Sequence, residues 1–273
     1  MRVAMAQVDC VLADPEANLA EARLRIAEAA GLGADLVVFP ELSLHGYAQG
    51  AAAADTSLRA DDPRVLELGT YGPDVLVGLY EREGGARHNA AAYLSDGRLH
   101  HVHRKLFLPH YRAWTERDHF APGTDLLSFD TGRIRAATLV CNDAWQPALP
   151  WLAAQDGAEL LLVPANSAAV DDGTLDNTTY WYDLVRQIAR MQQCWVVFVN
   201  RVGTENGVGF WGGSQVLDPA GEVVARAPFG AAGVYLAEVD PGYARRRRDA
   251  LPLLGDARFD LLRRQLTRLE SVD

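Results

Sequence analysis

The sequence contains only three cysteines, Cys10, Cys141 and Cys194. Three is too few and too odd a number for a disulfide framework, and it is typical of a reducing cytosol, so we expect a cytoplasmic protein. No Cys-x-x-Cys pair or Cys/His cluster indicates zinc, and we predict neither a metal nor a cofactor. The amino-terminal residues do not have the layout of a signal peptide.

Positive charge and long apolar runs are also scarce. The net charge of -10 opposes a nucleic acid or an anionic membrane as a partner. No apolar run reaches the length of a membrane span. The glycine-rich stretch 203–213 lacks the Gly-Lys-Ser/Thr ending of a phosphate-binding loop. The 49% hydrophobic content supplies ample material for a core, as in an ordinary soluble globular domain.

One dense basic run interrupts this acidic chain, four consecutive arginines at 245–248. We interpret it as a solvated helix face or a dimer contact, because one short run is weak support for the alternative, a phosphate or nucleic-acid patch. The pattern of elements does not break before this point. We therefore predict a single domain over residues 1–273, with a carboxyl-terminal tail from about residue 241 that contains a short helix.

Apolar strands alternate with helix-like segments along the chain. Helices are predicted at 14–30, where Asp14 is the N-cap and Pro15 the first helical residue, at 146–154, and at 180–193. A hairpin at 89–104 breaks the alternation, so the sheet should be mixed. The other predicted strands lie at 3–8, 35–39, 74–80, 136–140, 159–164, 194–200, 215–217, 222–227 and 233–239.

Three predicted strands end at chemically active side chains, Glu41, Lys105 and Cys141. A cysteine at a sharp turn between strand and helix is held clear of the sheet, and we expect backbone N–H groups of a helix that begins directly after it to favour the thiolate. Each residue also has a plain structural interpretation. Cys141 could be a buried structural cysteine, Glu41 a cap, and Lys105 a solvated surface lysine.

A long irregular stretch, residues 106–123, follows Lys105 and holds Glu116. Such stretches on compact domains tend to be functional. The alternative for Glu116 is a surface ion pair with Arg112 or Arg117.

Five segments together resemble the nitrilase superfamily of carbon–nitrogen hydrolases, which is defined by a Glu-Lys-Cys triad. They are GADLVVFPELSLHGY (33–47), HRKLFLPHYRAWTERDHFAPG (103–123), LVCNDAWQP (139–147), RMQQCWVVFVNRVG (190–203) and FWGGSQVLDPAGEVV (210–224). The lysine segment most resembles the glutaminase domain of glutamine-dependent NAD synthetase, although His110 replaces an Asn and Asn142 stands where that group has Glu. No Ser-Gly-Gly-x-Asp-Ser motif is present, so we do not expect a whole NAD synthetase, and glutamine as substrate stays open.

The resemblance implies a fold and a set of roles. The fold is an α/β four-layer α-β-β-α sandwich with mixed sheets. Cys141 is the nucleophile, Glu41 the general base and acid, and Lys105 the cation beside the oxyanion. Glu116 orients the substrate and Lys105, and the Asn142 backbone N–H is the second oxyanion donor. The residues expected to bind substrate are Tyr47, Tyr111, Asn142, Trp145, Asn166 and Ser167.

The predicted reaction is hydrolysis of a small amide through an acyl-thioester, which releases ammonia or an amine. An N-carbamoyl compound or a nitrile is an alternative substrate. The alternatives of other classes are a catalytically silent subunit of an amidotransferase assembly and a metal-dependent phosphodiesterase. Relatives imply a homodimer or a larger homo-oligomer, formed through helices beside the cysteine.

Overall fold

The computed structural model describes residues 1–51, 55–111, 114–169 and 176–271. Within these ranges the helices are α1 (Pro15–Gly31), α2 (Pro63–Glu67), α3 (Ala148–Gln155), α4 (Asn177–Gln192), α5 (Tyr243–Ala250) and α6 (Phe259–Glu270). The strands are β1 (Arg2–Gln7), β2 (Leu36–Val38), β3 (Asp74–Glu83), β4 (Ala86–Ser95), β5 (Arg98–Arg104), β6 (His110–Tyr111), β7 (Trp114–Thr115), β8 (Phe129–Asp130), β9 (Arg135–Thr138), β10 (Leu160–Ala165), β11 (Trp195–Asn200), β12 (Val202–Glu205), β13 (Val208–Trp211), β14 (Gln215–Leu217), β15 (Val223–Arg226) and β16 (Gly233–Glu238).

Two six-stranded sheets form the centre of the molecule. The first has the order β16-β1-β2-β3-β4-β5, and the second has the order β15-β14-β11-β10-β9-β8. In each sheet three neighbouring strands are parallel, β1-β2-β3 and β9-β10-β11, and the remaining pairs are antiparallel. The predicted mixed pairing, including the hairpin of β4 and β5, is confirmed.

Side chains that alternate along each strand build three separate cores. Val75 and Val77 of β3 pack in the core that α1 covers, whereas Leu76 between them packs in the core between the sheets. In the second sheet, Leu160 faces the other sheet and Leu161 faces α3 and α4. A period of two that is buried on both faces requires a layer on each side of each sheet. The four-layer α-β-β-α sandwich is therefore confirmed.

The first helix begins as the sequence predicts. The Asp14 carboxylate accepts a hydrogen bond from the Ala17 N–H at 3.0 Å, and Pro15 occupies the first helical position, where an N–H would have no partner. Its buried side chains include Leu19 and Ile26, which close the outer core of the first sheet. This helix fixes the layer behind the strand that leads to Glu41.

The helix predicted at 146–154 is present as α3, but it does not begin directly after Cys141 as expected. A single 3-10 turn spans Cys141–Asp143, and α3 does not begin until Ala148. Pro147 stands immediately before α3 and has no N–H to donate, so an α-helix cannot run continuously from Cys141 into α3. The cysteine therefore lies at an isolated turn and not at the amino-terminal end of a helix.

The arginine run lies on α5, which packs against the domain. Ala244 is fully buried, Arg245 pairs with Glu159 at 2.7 Å, and Arg248 donates to the Ala158 carbonyl at 2.6 Å. The interpretation of this run as a solvated face is therefore wrong for Arg248. By contrast, α6 has no buried residues. Among the described residues, no helix is both long and apolar enough to cross a membrane.

Candidate active site

Lys105 joins two carboxylates at one end of the sandwich. Its Nζ lies 2.7 Å from Glu41 Oε1 and 2.7 Å from Glu116 Oε1, and all three side chains are buried. The surface interpretations of Lys105 and Glu116 are therefore wrong. Burial alone would lower the pKa of the Lys105 ammonium, but the Glu116 and Glu41 carboxylates outweigh it and hold that pKa well above its usual value.

Five hydrogen bonds hold Glu41 and its surroundings in place. The Asn89 side-chain amide and Lys105 donate to Oε1, each at 2.7 Å, and the Asn166 N–H donates to Oε2 at 2.9 Å. The Asn166 side chain also donates to the Glu41 carbonyl at 2.8 Å. Behind Glu41, the chain turns through Leu42 at a φ of 48°, and the next turn bonds back to β3 through the Leu44 N–H at 3.0 Å. Glu41 is thus a fixed carboxylate with Lys105 beside it.

Cys141 sits at the strained turn that follows β9. Its φ is 47°, a left-handed conformation that non-glycine residues rarely adopt and that is concentrated at functional sites. The residue is half-buried and lines a pocket together with Tyr47, Glu116 and Asn166. Its sulfur is therefore presented to the same space that Glu116 faces.

The expected stabilisation of the thiolate is wrong. Burial raises the pKa of the Cys141 thiol well above its usual value, the negative charge of Glu41 adds to this rise, and Lys105 opposes it. No helix begins at this turn to supply a compensating row of N–H groups. These surroundings therefore favour the neutral form of the Cys141 thiol.

Glu116 has one bonded oxygen and one open oxygen. The Tyr47 hydroxyl donates to Oε1 at 2.5 Å, and Lys105 bonds to the same atom. Among the described residues, Oε2 is buried and has no hydrogen-bond partner. Burial raises the pKa of this carboxyl above its usual value, against the pull of Lys105. An unpaired acceptor in a pocket wall is suited to a ligand N–H group.

The pocket has a volume of about 60 Å³, which is room for a few water-sized groups. Every residue predicted to bind substrate lies in its wall. The lining consists of Tyr47, Pro109, Tyr111, Trp114, Glu116, Cys141, Asn142, Trp145, Asn166, Ser167, Ala168, Asn177 and Trp181. The sequence analysis missed Trp114, Asn177 and Trp181, which reach the pocket from β7 and from the first turns of α4.

Two buried polar residues that support the site were also missed. Asn89 lies inside the apolar strand β4, and its side chain donates to Glu41. A polar amide within an apolar strand was the one sequence feature that could have indicated a buried role. Asp143 accepts bonds from the N–H groups of Leu106 (3.0 Å) and Phe107 (2.9 Å), and its other oxygen lies 2.9 Å from His103 Nε2. Asp143 therefore ties the cysteine turn to the chain on both sides of Lys105.

Cys141 and Glu116 line one small cavity, and Lys105 and Glu41 lie behind Glu116 in the same hydrogen-bonded cluster. A thiol, a carboxylate and an ammonium are the groups that acyl transfer through a thioester uses. Among the described residues, no group of three or more His, Cys, Asp or Glu side chains is placed to hold a metal ion.

Comparison with known proteins matches residues 2–249 to the carbon-nitrogen hydrolase family model. The glutamine-dependent NAD(+) synthetase of Thermotoga maritima is 33% identical over 231 residues, which cover 82% of this chain and 39% of that protein. The N-carbamoylputrescine amidase of Arabidopsis thaliana is 28% identical over 276 residues, covering 93% of this chain and 91% of that one. The NitN amidase of Nesterenkonia sp. AN1 superposes with a TM-score of 0.83 and 26% identity, covering 97% of this chain and 99% of that chain.

The chain spans less than half the length of the NAD synthetases that it matches, 39% to 47%. It spans nearly all of the two amidases. Because the family model covers most of the sequence, the chain belongs to the carbon–nitrogen hydrolase family, within the nitrilase superfamily, and is an enzyme of that class.

Proposed function

We propose that this enzyme hydrolyses the carbon–nitrogen bond of a small amide through a covalent thioester on Cys141. One observation carries the proposal. The buried Glu41–Lys105–Glu116 cluster reaches, through Glu116, a pocket of about 60 Å³ whose wall also includes Cys141.

In the first half-reaction, Glu41 accepts the Cys141 proton as the sulfur attacks the amide carbonyl carbon. The tetrahedral oxyanion forms beside the Lys105 ammonium, which stabilises it by about 3 kcal/mol, the value typical of one oxyanion donor. When the carbon–nitrogen bond breaks, Glu41 returns the proton to the leaving nitrogen. An acyl-thioester and ammonia, or an amine, result.

In the second half-reaction, Glu41 accepts a proton from a water molecule, whose oxygen attacks the thioester carbonyl. Lys105 stabilises the second oxyanion in the same way. The carbon–sulfur bond then breaks, the thiol recovers its proton from Glu41, and the carboxylic acid leaves. The raised pKa of the Cys141 thiol supports this order, because the sulfur loses its proton only when an electrophile is bound.

Glu116 is assigned to substrate orientation. Its open Oε2 accepts an N–H of the amide, while its Oε1 stays bonded to Lys105 and Tyr47. An ester or an acid of the same size lacks this N–H and leaves the buried oxygen unpaired, which costs about 1–3 kcal/mol. This contact selects amides over other acyl compounds.

The pocket wall favours an uncharged acyl group. Among the described residues that line it, none is Lys, Arg or His, so the α-carboxylate of glutamine has no cation there. A mutant of the similar Nesterenkonia amidase was solved after Michael addition of acrylamide at its active-site cysteine, so a molecule of that size reaches the cysteine of that protein, which supports a small amide here. An N-carbamoyl compound is the second candidate, because the chain and the N-carbamoylputrescine amidase cover each other by 93% and 91%.

The test is ammonia release from a panel that contains acetamide, propionamide, glutamine, N-carbamoylputrescine and a small nitrile. We expect turnover of the small amides by the wild type, none by Cys141→Ala, and full activity in Cys194→Ala, whose thiol is buried outside the pocket. Activity that survives Cys141→Ala overturns the mechanism. A wild type that acts on no member of the panel supports a silent subunit instead.

A further inference from the structure

A buried ion pair lies behind the pocket, outside its lining. Arg201 is fully buried, and its Nη1 lies 2.7 Å from Glu205 Oε2, which is also buried. The Arg201 guanidinium donates to the Cys10 carbonyl at 2.7 Å and to Asp9 at 3.0 Å, and it stacks 4.6 Å above the Phe210 ring. The pair is therefore anchored to the end of the first strand and to both strands of the β12–β13 hairpin.

Glu205 directs its carboxylate at the loop that carries Tyr47. Its Oε1 accepts the N–H groups of Tyr47 at 3.0 Å and of Ala48 at 2.7 Å. Gly46 adopts a φ of 77°, and a Cβ there would lie 2.6 Å from Glu205 Oε2. The loop backbone is thus packed directly on the carboxylate, at a position that only glycine fits without strain.

The same loop delivers the Tyr47 hydroxyl to Glu116. That bond, at 2.5 Å, falls on the oxygen that Lys105 also contacts at 2.7 Å. Glu205 and Glu116 are 89 positions apart in sequence, and Tyr47 joins them through its backbone N–H at one end and its phenol at the other. A shift of the loop by an ångström would break the phenol contact, because hydrogen bonds weaken steeply with distance and angle.

We propose that Glu205 is a positioning residue for amide hydrolysis: paired with Arg201, it holds Tyr47 so that the phenol fixes the Glu116 carboxylate between Lys105 and the substrate. This inference rests on the proposed function. It adds a residue that touches neither the pocket nor the reacting atoms.

If Glu205 had only a structural role, its substitution would change the stability of the protein and leave kcat/KM unchanged. Glu205→Asp keeps the charge beside Arg201 but is one methylene shorter, so it cannot reach Arg201 and both loop N–H groups together. We expect kcat/KM to fall about 10- to 100-fold, as for an ångström-scale misplacement. Tyr47→Phe should cause a similar loss, and the double variant should be no worse than Tyr47→Phe alone.

The pH profile gives a second readout. Among the described residues, the charged and titratable groups that face Glu116 are Lys105, Glu41, Tyr47 and Cys141. Burial raises the pKa of Glu116, and Lys105 and the Tyr47 phenol bond oppose that rise. Losing that bond moves the acid limb of kcat/KM to higher pH in both Glu205→Asp and Tyr47→Phe. The matched control is Glu159→Asp, which shortens the side chain that pairs with Arg245 and should leave the pH profile of kcat/KM unchanged.

The deciding measurement is a crystal structure of Glu205→Asp beside the kinetic cycle. A Tyr47 hydroxyl displaced from Glu116, with losses that are not additive, supports the proposal. A Tyr47–Glu116 bond that is retained, or additive losses, overturns it. The structure decides even if no amide in the panel is turned over, so failure of the proposed function is distinguishable from failure of this inference.

Discussion

Single buried side chains set the geometry of this site, and Asp143 is an example. It lies two positions after Cys141 and bonds to backbone on both segments that the site needs. In Asp143→Asn an NH2 group replaces one carboxylate oxygen, and its nitrogen cannot accept a hydrogen bond. A backbone N–H or His103 therefore loses its partner. We expect a loss of about 2 kcal/mol in the free energy of unfolding and a fall in kcat/KM of about 10- to 100-fold.

Chemical denaturation and steady-state kinetics check this prediction. Asp156→Asn is the control, because that carboxylate also accepts from a backbone N–H, Ser128 N at 2.7 Å, but lies outside the pocket lining. A less stable Asp143→Asn enzyme with wild-type kcat/KM would contradict the role given to this residue.

His45 should make stability depend on pH. Burial lowers its pKa from 6.5 to about 4, and its Nδ1 accepts the Tyr80 N–H at 3.1 Å while Nε2 lies 3.0 Å from the Thr56 carbonyl. Between these two pKa values the unfolded chain binds a proton that the folded chain does not. Its contribution is therefore complete above pH 6.5 and declines as the pH falls, by about 2 kcal/mol at pH 5.

The measurement is urea unfolding at pH 7.5 and pH 5 for the wild type and His45→Asn, whose side-chain oxygen can still accept the Tyr80 N–H. The wild type should lose more stability on acidification than the variant. Equal losses would show that His45 is not held neutral.

Residue identities could be predicted only where a motif carried them. Glu41, Lys105 and Cys141 each follow a predicted strand within a recognisable segment, so they could be identified as candidates. Asn89, Asp143 and Glu205 were not, because the hydrogen bonds that tie each of them to the site reach distant parts of the chain; the bond from Glu205 to Tyr47 spans 158 positions. The charge state of Cys141 was mispredicted because burial outweighs local backbone dipoles.

At the scale of elements, the backbone of the Glu41 turn packs directly on β3 at Gly78, where there is no room for a side chain. A Cβ on Gly78 would lie 2.4 Å from Leu42 N and 2.5 Å from the Pro40 carbonyl, both backbone atoms that cannot move aside. Gly78→Ala should therefore displace Glu41 and lower kcat/KM by about 100-fold or more. Kinetics of Gly78→Ala beside Gly85→Ala test this, since nothing lies within 4 Å of a Cβ on Gly85. Similar activity in the two variants would be the contrary result.

Most element types followed from periodicity, but some elements and boundaries did not. The β12–β13 hairpin was not predicted, and α4 begins at Asn177, three positions before the predicted start at 180. The strands and α1 matched their patterns because alternation and the Asp14–Pro15 start are local signals. The segment after Cys141 has helical spacing, yet its helix begins only at Ala148, since Pro147 and the Asp143 side chain favour a separate turn.

At the scale of the whole molecule, the four layers were predicted from the resemblance to the nitrilase superfamily. The oligomeric state stays a prediction. The resemblance implies a homodimer or larger oligomer through helices beside the cysteine, which here are α3 and α4. Their outer faces expose Leu152 and Met191. We expect light scattering to give at least twice the chain mass of 29.8 kDa and Leu152→Glu to reduce it. Leu24→Glu, on the opposite layer, is the control; a monomeric wild type would contradict the prediction.

The central claim is that Cys141 carries the acyl group during turnover. The most direct measurement is peptide mass spectrometry of the wild-type enzyme, acid-quenched within a single turnover of a small amide. The account predicts that the acyl mass is found on the peptide that contains Cys141 and is absent in Cys141→Ala. Amide consumed with that peptide unmodified, or with the acyl group on another residue, would contradict it.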